Sequence, residues 1–233
     1  MKRISIIGLA IVAVLAMAAV VAQSASAALP ELVNKEGKEL VNKTITTEST
    51  ENSVLENTRG ETVTCTHEEG SVKAEGLKNV KEGTVTFTGC VGALNSKCTS
   101  SGQSEGTIVT NKVKGRIEYL SGKGTTSPVV GLLLEPETGT VFATFTCGSF
   151  VGNEVTKSVI GDLGPPNKLI KTTEFLTLKY AKKGTEKGIQ EFNKFEGDAT
   201  EHFLESKLFG FTTKANEQAK IKVKFGEEAQ LKA

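Results

Sequence analysis

The chain has no tryptophan, only two tyrosines and only two histidines among its 233 residues. Its acids are almost all glutamate, since Asp162 and Asp198 are the only aspartates. The missing tryptophan argues against sugar binding by aromatic stacking. A zinc site needs three or four converging ligands, and His67 and His202 are too few to build one. No D-x-[DN]-x-[DN]-G calcium loop occurs either. We therefore predict no metal and no cofactor.

Charge of either sign is not in excess. Lysine and arginine number 28 and the acids 27, so the formal net charge is +1. A balance so close to neutral gives no basic footprint for nucleic acid, and we predict no nucleic-acid partner.

Residues 1–27 have the pattern of a signal peptide. Lys2 and Arg3 are followed by an almost wholly apolar run over 4–22, and Ala25 and Ala27 fit the small-x-small pattern for cleavage after Ala27. The alternative is an uncleaved anchor, because about 19 apolar residues can just span a bilayer. We predict cleavage and a mature chain of residues 28–233. It would be secreted or lie at the cell-envelope surface, with no integral membrane segment.

Four cysteines, Cys65, Cys90, Cys98 and Cys147, lie in the predicted mature chain. An even count in an exported chain indicates two disulfides, and a four-cysteine zinc site would need C-x-x-C pairs, which are absent. Four cysteines allow three pairings. Alternation along the strands predicted around Cys65 and Cys147 points both side chains inward. We therefore predict Cys65–Cys147 as a core disulfide and Cys90–Cys98 as the clasp of a loop.

The dominant sequence period is two, which is the period of a β-strand. Alternating runs such as 62–66, 84–88 and 220–225 are separated by Gly- and Pro-rich turns. This pattern predicts an all-β fold, an antiparallel sandwich or barrel of about 10 to 12 strands. Helical spacing is weak, with one candidate at 198–208. We predict a single domain over 28–233, with a disulfide-containing subregion 28–160 and a Lys/Glu/Phe-rich subregion 168–233.

A series of short motifs follows the export signal in a fixed order. The export signal is followed by ALPE, VTC, GTVTFTGC, CTSSGQSEGTI and FTC. In this order the chain resembles a family of secreted proteins from soil actinobacteria of the Thermoleophilia type. The resemblance covers about residues 1–160 well and the remainder loosely. It implies export and carries over no activity.

Residues 102–106, GQSEG, fit the G-x-S-x-G pattern of a hydrolase, with Ser104 as the nucleophile. Asp162 and His202 follow in the order that such hydrolases use. The nucleophile elbow needs a strand, a sharp turn and a helix, whereas the next residues here are TIVT, a β-type sequence. We interpret the motif as a turn before a strand and predict no catalytic residue.

Two further polar patterns are assigned to the surface. We interpret His67-Glu68-Glu69 as a solvated turn at a hairpin tip. Asn42-Lys43-Thr44 matches an N-glycosylation sequon, which the bacterial type of signal leads us to discount.

Alternating lysines along one predicted strand and alternating threonines along others raise the question of surface binding. Lys220, Lys222 and Lys224 can touch anionic polymer or lipid headgroups, but they favour an edge strand protected by charge. Alternating threonines on a flat sheet can bind an ordered surface, but they also simply suit solvent-facing strand positions. They are Thr62, Thr64, Thr66, Thr84, Thr86, Thr88, Thr144 and Thr146.

Three functions from different classes remain open. The leading hypothesis is a non-enzymatic β-domain at or outside the envelope, which acts by surface contact with protein or polymer. The second is a carrier that encloses a small apolar molecule, and it requires a cavity of about 300 Å³ or more. The third is a hydrolase that uses Ser104.

Overall fold

The computed structural model describes residues 30–233, which form eighteen strands and one short 3-10 turn, Ala93–Asn95. The first nine strands are β1 (Glu31–Asn34), β2 (Thr44–Ser49), β3 (Ser53–Asn57), β4 (Thr62–Cys65), β5 (His67–Glu75), β6 (Asn79–Thr88), β7 (Cys98–Thr99), β8 (Ile108–Val109) and β9 (Val113–Ser121). The others are β10 (Val129–Pro136), β11 (Val141–Cys147), β12 (Phe150–Lys157), β13 (Val159–Gly164), β14 (Leu169–Ile170), β15 (Leu176–Tyr180), β16 (Leu204–Leu208), β17 (Phe211–Phe225) and β18 (Ala229–Lys232). The all-β, disulfide-braced fold is confirmed. Two-residue strands such as β7 and β8 carry no readable alternation, so the strand count exceeds the expected one.

Eight antiparallel strands close into a barrel, here called the main barrel. Its strand order is β15-β13-β10-β9-β6-β5-β2-β17, and β17 pairs back with β15. The alternation of β17 explains its place there, because Ile221, Val223 and Phe225 are buried in the core.

Lys220, Lys222 and Lys224 lie on β17, which is not an edge strand of the barrel. Residues 221–223 of β17 pair with β2 on one side and with β15 on the other, and the ladder with β2 continues to Phe225. The edge-strand interpretation of Lys220, Lys222 and Lys224 is therefore wrong. Their alternation marks the solvent side of a closed barrel, where Lys224 pairs with Glu48 at 2.9 Å.

A second set of strands, here called the disulfide sheet, continues from the other half of β17. Its order is β4-β3-β17-β16-β12-β11-β7. Isolated bridges from Thr64 to Val91 and from Val91 to Lys97 connect its two edges through the segment 90–98. One continuous hydrophobic core runs through both sheets.

The disulfides brace the two sides of that connection. Cys65 is bonded to Cys90 and Cys98 to Cys147, with Cα–Cα distances of 3.9 and 4.0 Å. The expected pairing of Cys65 with Cys147 and of Cys90 with Cys98 is wrong. Each end of the 90–98 loop is instead fixed to a neighbouring strand, one end to β4 and the other to β11.

A turn at Gly89 determines the orientation of Cys90. This glycine has a φ of +64°, in the left-handed region that glycine favours, and it turns the chain so that Cys90 is fully buried. All four sulfurs therefore point inward. The choice of partner depends on which strands are neighbours, and alternation alone does not contain that information.

A three-stranded sheet, β1-β18-β14, covers one end of the main barrel. Strands from the two expected subregions interleave, since β15 pairs with β13 and β17 pairs with β2 and β3. The helical candidate at 198–208 instead ends in strand β16. The predicted signal peptide lies outside the described residues.

Candidate functional site

An internal cavity of about 110 Å³ lies where the main barrel meets the disulfide sheet. Strands from both sheets supply its walls, which are mostly apolar. The larger wall side chains are Leu55, Phe87, Leu134, Phe142, Phe145 and Leu204. A smaller cavity of about 60 Å³ adjoins it inside the main barrel, and Glu68 and Tyr180 line both.

Five polar side chains line this otherwise apolar space: Ser53, Glu68, Thr110, Tyr180 and Glu217. The hydroxyl of Ser53 donates a hydrogen bond of 2.7 Å to Oε2 of Glu68, a residue only 5% exposed. Tyr180 is also 5% exposed. Among the described residues, neither the hydroxyl of Tyr180 nor Oε1 of Glu217 has a hydrogen-bond partner.

Burial changes the protonation of these groups. Loss of water raises the pKa of Glu68 to about 7, although the hydrogen bond from Ser53 acts in the opposite direction. Burial, and then the charge of Glu68, raises the pKa of Glu217 well above its ordinary value. Burial and the two carboxylates also raise the pKa of Tyr180. At mildly acidic pH the folded protein therefore keeps protons that the unfolded chain releases.

The cavity is smaller than the carrier hypothesis requires. A site for a typical apolar ligand has a volume of about 300 Å³ or more, against about 110 Å³ here. This volume has room for several waters, or for a small organic molecule with a few heavy atoms.

Sequence reasoning missed this site. His67-Glu68-Glu69 begins β5 and is not a hairpin tip, so its interpretation as a solvated turn is wrong for Glu68. The alternation along β5 indicated that Glu68 is buried, because Glu68 lies on the same face of the strand as Val72 and Ala74. Glu217 likewise shares the parity of the apolar positions later in β17. Both acids stand at inward positions of otherwise apolar rows.

The serine motif does not have an elbow. Ser104 is exposed in a turn that precedes β8, and its backbone carbonyl accepts a hydrogen bond from Thr107. No helix follows it in the described chain. The ring of His202 lies 3.2 Å from Ser158 and 3.9 Å from Asp198, and neither Ser104 nor Asp162 is among its contacts within residues 30–233.

The threonine runs do not share one flat sheet. Thr84, Thr86 and Thr88 lie on β6 of the main barrel, whereas the other runs lie on or next to β4 and β11 of the disulfide sheet. Residues 30–233 contain no group of three or more His, Cys, Asp or Glu side chains that is able to hold a metal ion.

Apolar side chains gather on the surface at the end of the disulfide sheet. Leu94 is 97% exposed, Val151 78%, Phe211 49% and Phe150 44%. The ring centroids of Phe150 and Phe209 are 5.0 Å apart in an edge-to-face contact. These five residues, Leu94, Phe150, Val151, Phe209 and Phe211, are here called the apolar end.

Local structure holds three loop tips together there. Oδ1 of Asn153, a buried residue, accepts a 2.9 Å hydrogen bond from the backbone of Phe209, and its amide donates to the carbonyl of Phe150. The ring of Phe209 packs against Gly92 in the loop that carries Leu94. The hairpins β11–β12 and β16–β17 and the 90–98 loop therefore end side by side.

Basic side chains border the apolar end. The Arg59 guanidinium stacks over the ring of Phe211 at 3.8 Å. Lys97 and Lys207 lie in the same loop and hairpin as apolar-end residues, and both are exposed.

Residues 30–233 contain no helix with the length and hydrophobicity that a membrane-spanning segment requires. The two disulfides indicate an oxidising, extracytoplasmic environment. Comparisons with protein-family models, with curated proteins and with solved structures find no match to this chain.

Proposed function

We propose that the protein is an exported, non-enzymatic binding domain that docks on a lipid surface with anionic headgroups. The apolar end enters the interface between headgroups and acyl chains. The neighbouring lysine and arginine side chains contact the headgroups.

The observation that carries this proposal is the clustering of exposed apolar side chains on three adjacent loop tips. Single exposed hydrophobic residues are ordinary, whereas a cluster marks an interaction surface. Full burial of a Phe, Leu or Val side chain is worth about 1.5 to 3 kcal/mol. Leu94, Phe150 and Val151 together therefore provide enough free energy for reversible association.

Charge and shape favour lipid as the occupant. Arg59 stacks on Phe211, and the exposed Lys97 and Lys207 lie in the loop and the hairpin that carry Leu94 and Phe209. Each basic residue near an anionic leaflet contributes about 1 kcal/mol. The apolar side chains project from loop tips rather than from a flat face, which suits insertion between headgroups. β17 runs from Phe211 at this end to Phe225, and strand β18 of the three-stranded sheet follows beyond Phe225.

Export is part of the same proposal. The signal pattern over 1–27 and the two disulfides support a chain that folds outside the cytosol. N-terminal sequencing of the exported protein is expected to begin at Ala28. A cytosolic chain that retains Met1 would contradict this part of the proposal.

Co-sedimentation with lipid vesicles tests the docking. The oxidised mature protein is expected to sediment with vesicles that contain phosphatidylglycerol and much less with phosphatidylcholine alone. A variant with Leu94→Ser, Phe150→Ser and Val151→Ser is expected to bind more than tenfold more weakly, because each tenfold step needs only about 1.4 kcal/mol.

A matched variant with Val41→Ser, Leu169→Ser and Phe175→Ser serves as control. It removes three exposed apolar side chains outside the apolar end, and its vesicle binding is expected to equal that of the wild type. Equal binding by the apolar-end variant would overturn the proposal. Association with a protein or a wall polymer in place of both kinds of vesicle would also overturn it.

A further inference from the structure

We infer that the internal cavity is a binding site for a small organic cation, a primary amine with a short apolar chain. The Glu68 carboxylate, Oε1 of Glu217 and the hydroxyl oxygen of Tyr180 would hold the ammonium group. The apolar walls would hold the chain.

The cavity contains hydrogen-bond acceptors that lack a donor. Oε1 of Glu217 and the hydroxyl of Tyr180 are buried and have no partner among the described residues, while Ser53 occupies only one oxygen of Glu68. Leaving a buried polar atom unpaired costs about 1 to 3 kcal/mol. An ammonium group has three N–H donors and no acceptor, so it matches these three oxygens.

The charge of the lining favours a cation. Among residues 30–233, the titratable groups that line the two cavities are Glu68, Glu217 and Tyr180, and no lysine, arginine or histidine lines either one. This part of the chain therefore supplies no cation to the cavity. A cationic ligand neutralises the charge that Glu68 carries above neutral pH, whereas an anionic ligand is repelled and a neutral alcohol leaves this charge uncompensated.

The size and the apolar walls of the cavity favour a short hydrocarbon chain. Phe87, Leu134 and Phe145 give the cavity apolar walls, and a volume of about 110 Å³ limits the chain to a few carbons. The pKa of Glu68, about 7, means that this carboxyl loses its proton above neutral pH. Amine binding is therefore expected to strengthen as the pH rises from 6 to 8, while the amine itself stays protonated.

Calorimetry on the oxidised mature protein with n-butylamine at pH 8 tests the inference, with n-butanol and butyrate as matched probes of the same length. Butylamine is expected to bind at least tenfold more tightly than either probe. Glu68→Gln keeps the shape of the side chain, removes the charge that Glu68 carries at pH 8, and is expected to weaken butylamine binding at least tenfold. Glu56→Gln, a buried glutamate paired with Lys182 outside the cavity, is expected to bind like the wild type.

Three results would overturn the inference. They are butanol binding as tight as butylamine binding, butylamine binding unchanged in Glu68→Gln, and no butylamine binding at all, which would mean that the cavity holds only water. Circular dichroism of each variant confirms that the fold is intact. None of these results bears on the vesicle experiment, because the apolar end lies outside the cavity.

Discussion

Cys98 and Cys147 stand directly opposite each other on the neighbouring antiparallel strands β7 and β11, and a disulfide joins them. Only a two-residue ladder connects these strands, so the covalent bond braces a weakly paired edge of the disulfide sheet. Cys65–Cys90 braces the other side of the same loop. The loop between the two bonds carries Leu94 of the apolar end.

Removing Cys98–Cys147 with the pair Cys98→Ala and Cys147→Ala is expected to destabilise the fold. The bond closes a span of 49 residues, and the loop-entropy model gives about 4 kcal/mol for such a closure. Urea unfolding measures the loss. Peptide mapping of the untreated protein checks the connectivity, and a peptide that joins Cys65 to Cys147 would contradict it.

Glu68→Gln is expected to change how stability depends on pH. Glu68 has a raised pKa, so between about pH 4.5 and 7 the folded state holds a proton that the unfolded state has lost, and stability falls as pH rises. Glutamine stays neutral and removes this contribution. The variant is expected to match the wild type at pH 4 and to exceed it by about 3 kcal/mol at pH 8.

Thermal and urea unfolding across this pH range measure the effect. Glu69→Gln is the matched control, because Glu69 is the next residue and is exposed on the opposite face of β5. It is expected to keep the wild-type slope. The same slope in Glu68→Gln would mean that Glu68 is not the group responsible.

Gly161→Ala is expected to disturb the wall that holds Tyr180. A Cβ at Gly161 would lie 2.7 Å from Cε1 of Tyr180 and 2.8 Å from Leu178, and such overpacking costs about 1 to 3 kcal/mol. Gly226→Ala, where a Cβ has no atom within 4 Å, is the control and is expected to be neutral or slightly stabilising. Equal unfolding midpoints for the two variants would contradict the packing described here.

The period-two pattern was sufficient to predict the fold class, because alternation in a run such as 220–225 is a local property of a strand. Barrel closure was not predictable in the same way, since it depends on β15 meeting β17 across a long stretch of sequence. The predicted disulfide pairing was wrong for a related reason. The turn at Gly89 points Cys90 into the core, and the bonding partners are set by which strands are neighbours.

The cavity was partly readable from the sequence. Glu68 and Glu217 occupy inward positions of alternating rows, so their burial followed from parity once these rows were assigned to strands. Their convergence with Tyr180 did not follow, because it requires the crossing of β17 from one sheet to the other. The apolar end also depended on tertiary structure, since Leu94 and Phe211 are far apart in sequence.

Tryptophan fluorescence gives the most direct test of docking at the apolar end, because the native chain has no tryptophan. In Phe150→Trp the single indole lies in the apolar end, and in Phe175→Trp it lies at an exposed site next to β15. Phosphatidylglycerol vesicles are expected to shift the emission of the first variant to shorter wavelength and to leave the second unchanged. Equal shifts in both variants, or no shift in Phe150→Trp, would contradict insertion of the apolar end.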